Sequence, residues 1–211
     1  MSAFERRDSE TSGLTPREAA FVTDLPEKTI QQAIDREEVV PLRNRTGDRD
    51  RVLGYRDLVY LRLRNGAGRL LSPEGKRRLR AELEQIGGEA CDSEILNLGP
   101  LNLDVGPVSR EVQARLEAME RARQWVIIDP AVRAGEPVVR GTRVSVHVVA
   151  ELQEQGASRQ ELLEDYPSLT PESLEAALLY ARMYPRRGRP RRAPWKDGEI
   201  AAPTPPVKED A

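Results

Sequence analysis

A chain of 211 residues is long enough for one large domain or for two small ones with a tail, and its 38% hydrophobic and 32% charged content favours two small cores. One cysteine, Cys91, excludes an internal disulfide framework, and with no signal peptide or long apolar run the expectation is a reduced, cytoplasmic protein without a membrane partner. A net charge of −2 gives the whole molecule no cationic footprint, but positive charge collects in two places: eight arginines against three aspartates over Arg43–Arg69, and five arginines over Pro185–Trp195.

Residues 1–13 are polar and expected to fray. Thr15-Pro16-Arg17-Glu18 then reads as a capping box with proline at the first helical position. After a turn at Thr23-Asp24, Asp24-Leu25-Pro26-Glu27 offers a second acceptor with a glutamate three residues on, and Ile30, Ala33 and Ile34 line one helical face. Two short helices this close predict a helix-turn-helix. Arg-rich Leu42–Arg51 suits a loop or two-stranded wing, and Tyr55-Arg56-Asp57-Leu58 opens a third helix with Leu58, Leu61 and Val59 as its inward residues.

This order, helix-turn-helix, basic wing and Tyr-Arg before a helix, resembles the DNA-binding head of MerR-like regulators. It departs from that pattern in a longer, more arginine-rich wing and in the acidic exit Asp35-Arg36-Glu37-Glu38. With the second helix in a major groove, Lys28, Thr29, Gln31 and Gln32 are the candidates for base contact, since glutamine pairs bidentately with adenine. Arg43, Arg45, Arg49 and Arg51, with Tyr55 and Arg56 behind them, are placed for phosphate contact, which sets affinity and register rather than sequence. The alternative is a solvated face beside a flexible loop.

Ser72-Pro73-Glu74 starts a helix with Leu79, Leu83 and Ile86 inward and Lys76, Arg77, Arg78 and Arg80 outward, facing Glu82 and Glu84, ended by Gly87-Gly88: a connector over residues 71–90. From Ile95 to Val105 the apolar residues alternate at strand period, broken at Gly99-Pro100, as in a half-buried strand pair or a bent edge strand. Ser109 begins a helix with the stripe Val112, Leu116 and Met119.

Trp125–Ile128 is a compact apolar run stopped by Asp129-Pro130 and turned by Gly135 before Pro137. Val138-Val139 and Val144 with Val146 flank Arg140-Gly141-Thr142-Arg143, which reads as a small hairpin with two arginines at its tip. A lone hairpin is marginal in water, so the Ile95 region is expected to complete its sheet, with a sheet shared across a homodimer as a further option. Ser145 opens a helix to about Gln155 with Gly156 after it, Ser158 and Glu161 form a capping box, and Thr170 with Pro171 starts a helix carrying Leu174, Ala177, Leu178 and Ala181.

The series Ile128-Asp129-Pro130, Gly135-Glu136-Pro137, Val139-Arg140-Gly141-Thr142-Arg143-Val144, Gln155-Gly156, Asp165-Tyr166-Pro167, Leu169-Thr170 and Ala177–Ala181 resembles the small antitoxin-type domain of unknown function 433. The longer arrangement resembles the antitoxin of a VapBC-type toxin–antitoxin pair. That resemblance implies neutralisation of a PIN-like, metal-dependent ribonuclease toxin, with Asp129, Pro130, Gly135, Pro137, Gly141 and Thr142 as structural motif residues. Arg140 and Arg143 then either contact the partner or only decorate a tight turn, salt-bridged to Asp129 or Glu136.

Pro185–Trp195 cannot bury a core of its own and is expected to be an extended interaction arm. Its charge suits an anionic partner, either nuclease carboxylates around Mg²⁺ or a nucleic acid. The resemblance selects the toxin, with Arg186, Arg187, Arg189, Arg191, Arg192 and Trp195 as contacts. His147 among valines and Cys91 without a basic neighbour give no catalytic group, and no zinc spacing, phosphate loop or nucleophile elbow appears, so neither an enzyme nor a cofactor is expected.

The expected fold is α+β: a helix-turn-helix unit over 14–70, the connector, a unit of a few strands and helices over 91–184, and an arm and tail over 185–211. The function expected is an antitoxin that binds its toxin and its own operator DNA; the alternatives are a stand-alone MerR-like regulator and an adaptor with no DNA role.

Overall fold

The structure is a computed structural model and describes residues 13–43, 51–85, 95–99 and 101–186. Its helices start where local chemistry says they should. Helix α1 (Pro16–Thr23) has the Thr15 hydroxyl accepting from the Glu18 amide while the Glu18 carboxylate accepts from the Thr15 amide. This is the reciprocal capping box read from the sequence. Asp24 then ends α1 in the left-handed region instead of capping the next helix; α2 (Glu27–Asp35) follows Pro26 with no side-chain cap. Ile30, Ala33 and Ile34 are buried.

Strands β1 (Leu42–Arg43) and β2 (Arg51–Val52) pair antiparallel, and α3 (Tyr55–Asn65) follows, its start closed by the Asp57 carboxylate accepting from the Gly54 amide. Leu58, Val59, Tyr60, Leu61 and Leu63 are all buried, so α3 is covered on most sides and forms the centre of the N-terminal half. Helix α4 (Pro73–Gln85) turns Leu79 and Leu83 onto it. The remainder of the expected 71–90 connector, with Ile86 and the glycine stop, lies outside the described residues.

The Ile95–Val105 alternation is the strand pair expected: β3 (Ile95–Asn97) and β4 (Asn102–Asp104) are antiparallel with Leu96 opposite Leu103 and both side chains buried. Helix α5 begins earlier than Ser109 and runs Gly106–Gln124, with Pro107 in its first turn. Strand β5 (Val126–Ile127) then pairs with β6 (Val138–Val139), and three C-terminal helices complete the chain: α6 (Val146–Glu154), α7 (Arg159–Asp165) and α8 (Pro171–Met183). Ser145, Ser158 and Thr170 each cap the helix they precede, and Leu174, Ala177, Leu178 and Ala181 of α8 are buried.

Two expectations about sheets are corrected. Val138-Val139 takes Trp125–Ile128, not Val144 and Val146, as its strand partner; the return leg contributes one bridge, Val138 to Ser145, because Ser145 is already committed to capping α6. The Ile95 region does not complete that sheet. Among the described residues there are three separate two-stranded sheets, each small enough to be backed by helices alone.

The fold is α+β and mostly helical. One continuous cluster of buried apolar side chains runs from Leu14, Val22 and Leu58 through Val112 and Met119 of α5 to Val149, Leu174 and Met183. Helix α5 spans that cluster. It packs against α1 and α3 on one side and α8 on the other. Polar ties reinforce the seam: the Tyr55 hydroxyl lies 2.7 Å from Ser109 Oγ, and Arg62 donates to Glu111 at 2.8 Å. No helix among the described residues is long and apolar enough to cross a membrane.

Candidate functional site

The residues around the Arg-Gly-Thr-Arg turn build its geometry from the backbone outward. The Thr142 amide donates to the Val139 carbonyl at 3.0 Å, and Gly141 occupies the third position with φ 76°, the backbone of a type II turn. The Thr142 hydroxyl donates to the same carbonyl at 2.9 Å and accepts from the Val144 amide at 3.0 Å, which locks the loop. The Val139 amide closes it against the Val144 carbonyl. Arg140 and Arg143 therefore flank a rigid turn, both exposed.

Neither pairs with Asp129 or Glu136. Arg140 is drawn back over the end of α5, where its Nε donates to the Gln124 carbonyl at 2.6 Å and its amide to the Trp125 carbonyl at 2.7 Å. A guanidinium on the last carbonyls of a helix meets the negative end of the helix dipole. Arg143 has no hydrogen bond or ion pair among the described residues. Asp129 caps the turn at Pro130 by accepting from the Ala131 amide at 2.8 Å, and Gly135 takes φ 81° so that the chain can reach Pro137 and β6.

Glu136 is the organising acid beneath this turn. Its side chain is 15% exposed; it accepts from the Ser145 hydroxyl at 2.6 Å, from Arg133 Nε at 2.9 Å and from Arg186. Burial pushes its carboxyl up, yet the Ser145 and Arg133 hydrogen bonds and the Arg186 charge outweigh burial and hold it below its usual value. His147, in the first turn of α6, has its pKa pushed down by burial first and by the Arg186 charge second. The sequence offers Glu136 as turn chemistry and as a partner for the loop arginines. Of its actual partners Arg133 is local, but Ser145 and Arg186 lie nine and fifty residues away, which no local pattern signals.

The root of the basic arm is fixed twice. Besides the Arg186–Glu136 pair, the Pro185 carbonyl accepts from Arg17 of α1 at 3.3 Å. Just before it, the Tyr184 hydroxyl donates to the Glu18 carboxylate, which also takes Arg123 Nη2 at 2.6 Å. This three-residue node joins α1, α5 and the end of α8. Arg187, Arg189, Arg191, Arg192 and Trp195 lie outside the described residues.

In the N-terminal half, Lys28 and Gln32 of α2 are exposed and Thr29 and Gln31 are half-buried. Arg43 and Arg51 sit opposite each other in the β1–β2 register, and Arg45 and Arg49 lie outside the described residues. Several neighbouring arginines are engaged in folding. Arg64 pairs with Glu38 at 2.8 Å, Arg62 with Glu111, and Arg56 donates to the Glu84 carbonyl at 3.3 Å. Tyr55 turns its hydroxyl inward to Ser109. Arg80 is no outward connector residue: it bonds Asp57 at 3.0 Å, Glu84 and the Glu38 carbonyl, and its guanidinium lies 5.5 Å from the Tyr60 ring centroid.

A third feature escaped the sequence. The α1–α2 turn, α5 and α8 enclose an open groove of about 700 Å³, lined by Phe21, Leu25, Ala118 and Leu179 with Arg115 and Arg182 at its rim. Among the described residues no three His, Cys, Asp or Glu side chains gather to hold a metal ion.

Comparison with known proteins defines one part of the chain. Residues 126–181 match the family described as "Protein of unknown function (DUF433)", which covers β5, β6, the Arg140–Arg143 turn and α6 to nearly the end of α8. An uncharacterized protein, y4eO, of Sinorhizobium fredii (strain NBRC 101917 / NGR234) is 42% identical over 91 residues, 43% of this chain; the chain spans 41% of that relative's length. The crystal structure of Rv2018 from Mycobacterium tuberculosis aligns over 78% of this chain and 96% of its own at 20% identity, with a TM-score of 0.35, too low to define a common fold.

Proposed function

We propose that this chain is the antitoxin of a type II toxin–antitoxin pair: it binds and inhibits a PIN-like ribonuclease through its DUF433 portion and basic arm, and represses its own operon through the N-terminal helices. The observation that carries this reading is the rooting of the arm. Glu136 holds Arg186 from the loop that leads into β6 and its exposed Arg140 and Arg143, so the residue at which the described chain ends, just before four further arginines and Trp195 in the sequence, is tied to the DUF433 portion.

A PIN-like nuclease gathers carboxylates around Mg²⁺, and planar guanidinium groups are suited to pair with them. Trp195 supplies an apolar anchor of the kind that dominates protein interfaces. In the N-terminal half, exposed Lys28 and Gln32 on α2 and the β1–β2 pair with Arg43 opposite Arg51 support DNA contact by a MerR-like helix-turn-helix with a two-stranded wing.

Removing residues 187–211 tests the reading directly. The truncated chain should lose inhibition of the nuclease encoded beside it, measured by cleavage of a labelled RNA; undiminished inhibition overturns the role of the arm. For the head, a gel shift on the upstream DNA should weaken for the double variant Arg45→Ala, Arg49→Ala, with a shallower salt dependence because two phosphate contacts are gone. An unchanged shift removes the wing from the DNA interface.

A further inference from the structure

The unit made by β5, β6 and the Arg140–Arg143 turn leaves two large apolar side chains in solvent at the two ends of β5: Trp125, 37% exposed, and Ile128, 60% exposed. The strands themselves are well packed, since Val126, Val138 and Val139 are buried, so the exposure belongs to the flanks and not to a loose core. Two cations lie at the Trp125 end of this strand pair, where the Arg140 amide donates to the Trp125 carbonyl, while Ile128 follows the Ile127–Val138 end. Arg140 lies on the Gln124 carbonyl, one residue before Trp125, and Arg143 stands across the turn from it without a partner among the described residues. The acids of the same unit are engaged: Asp129 holds the Ala131 amide, and Glu136 holds Ser145, Arg133 and Arg186.

We infer that Trp125 and Ile128, with Arg140 and Arg143, form the folded docking face for the nuclease, taking a protein surface that offers an apolar recess beside carboxylates. The inference rests on the antitoxin reading and adds a contact independent of the arm. Tryptophan and arginine together are the residue types that concentrate binding energy at protein interfaces. A phosphate backbone would satisfy the arginines and leave Ile128 in water. A second copy related by a twofold axis would bring this unit's uncompensated arginines toward their own counterparts. An acidic, partly apolar protein surface accommodates all four residues.

The test uses the full chain and the purified neighbouring nuclease, with binding measured by titration calorimetry at two salt concentrations. Arg143→Glu, at an exposed and unpartnered position, and Ile128→Asp should each weaken binding by about tenfold or more, Arg143→Glu most at low salt, and Arg143→Lys should restore most of the loss. Trp125→Ala should weaken binding further, with circular dichroism confirming that its fold is kept. Wild-type binding with Arg143→Glu and Ile128→Asp unchanged within about twofold overturns this inference and leaves the antitoxin reading in place. Failure of the wild-type chain to bind overturns both. Loss of self-association in sedimentation, or loss of DNA binding alone, assigns the face to another occupant and also overturns the inference.

Discussion

Glu18 shows how one carboxylate is made to serve several elements. Burial raises its pKa, but the Tyr184 hydrogen bond, the Thr15 backbone and side-chain bonds and the Arg123 charge prevail and leave it below 4.5. A carboxyl depressed in the folded state stabilises fully above its unfolded pKa, and that contribution is lost as pH falls through the folded value. Urea midpoints should therefore fall as pH drops below about 4.5, and Glu18→Gln should flatten part of that dependence. Tyr184 works in the opposite sense. Burial and the bond to Glu18 push its phenol up to about 12, so its contribution is complete below pH 10 and disappears between there and about 12. Tyr184→Phe removes one of the two donors to Glu18 Oε1, Arg123 remaining, and should cost about 0.5–1.5 kcal/mol at neutral pH, read from urea unfolding.

Among the secondary-structure elements, the turn and the caps carry the sharpest expectations. Gly141 has φ 76° and nothing within 4 Å of where a Cβ would stand, so Gly141→Ala meets only a conformational cost, roughly 1–2 kcal/mol. The same substitution should also loosen partner binding, because the turn sets where both arginines leave the backbone. Ser158→Ala removes one half of the α7 capping box and should lower stability by about 1 kcal/mol. Both effects are measurable by denaturant titration of the single variants.

These elements were also the most legible in the sequence. Helix starts at Thr15, Ser145, Ser158 and Thr170 are local events, decided by a side chain three residues from the amide it serves, and each stands where expected. Asp24 has the same local signature and ends a helix instead: its backbone is left-handed at φ 54°, and its amide bonds back to the last carbonyls of α1, a conformation that does not suit an N-cap. Strand partners are decided at a distance. Val138-Val139 had two apolar runs to choose from, and the nearer one was needed to open α6. The loop arginines were found as exposed, while the acid that organises their surroundings was not, since Glu136 acquires its role only when Ser145 and Arg186 arrive.

The continuous apolar cluster sets the behaviour of the whole molecule. Helix α5 is shared by the N-terminal helices and the DUF433 portion, burying Val112 and Met119 while Glu111 and Arg123 make ion pairs with Arg62 and Glu18 of the first half. Thermal unfolding followed by calorimetry should give one cooperative transition. An excised fragment of residues 126–186 loses α5 and exposes the inner face of α8, and its circular dichroism should show no cooperative melt. Two resolved transitions in the full chain would show that the halves fold independently.

The tie between Tyr184 and Glu18 places the departure point of the arm one hydrogen bond from the cap of the first helix. A protein that bound beyond Arg186 would have to keep Tyr184 in the same pose or break its bond to the carboxylate that closes the Thr15 capping box. Occupancy at the C-terminal end would thereby tune the grip of the N-terminal end, and reciprocity requires that a ligand held by α1 and α2 alter the hold on the arm by the same factor.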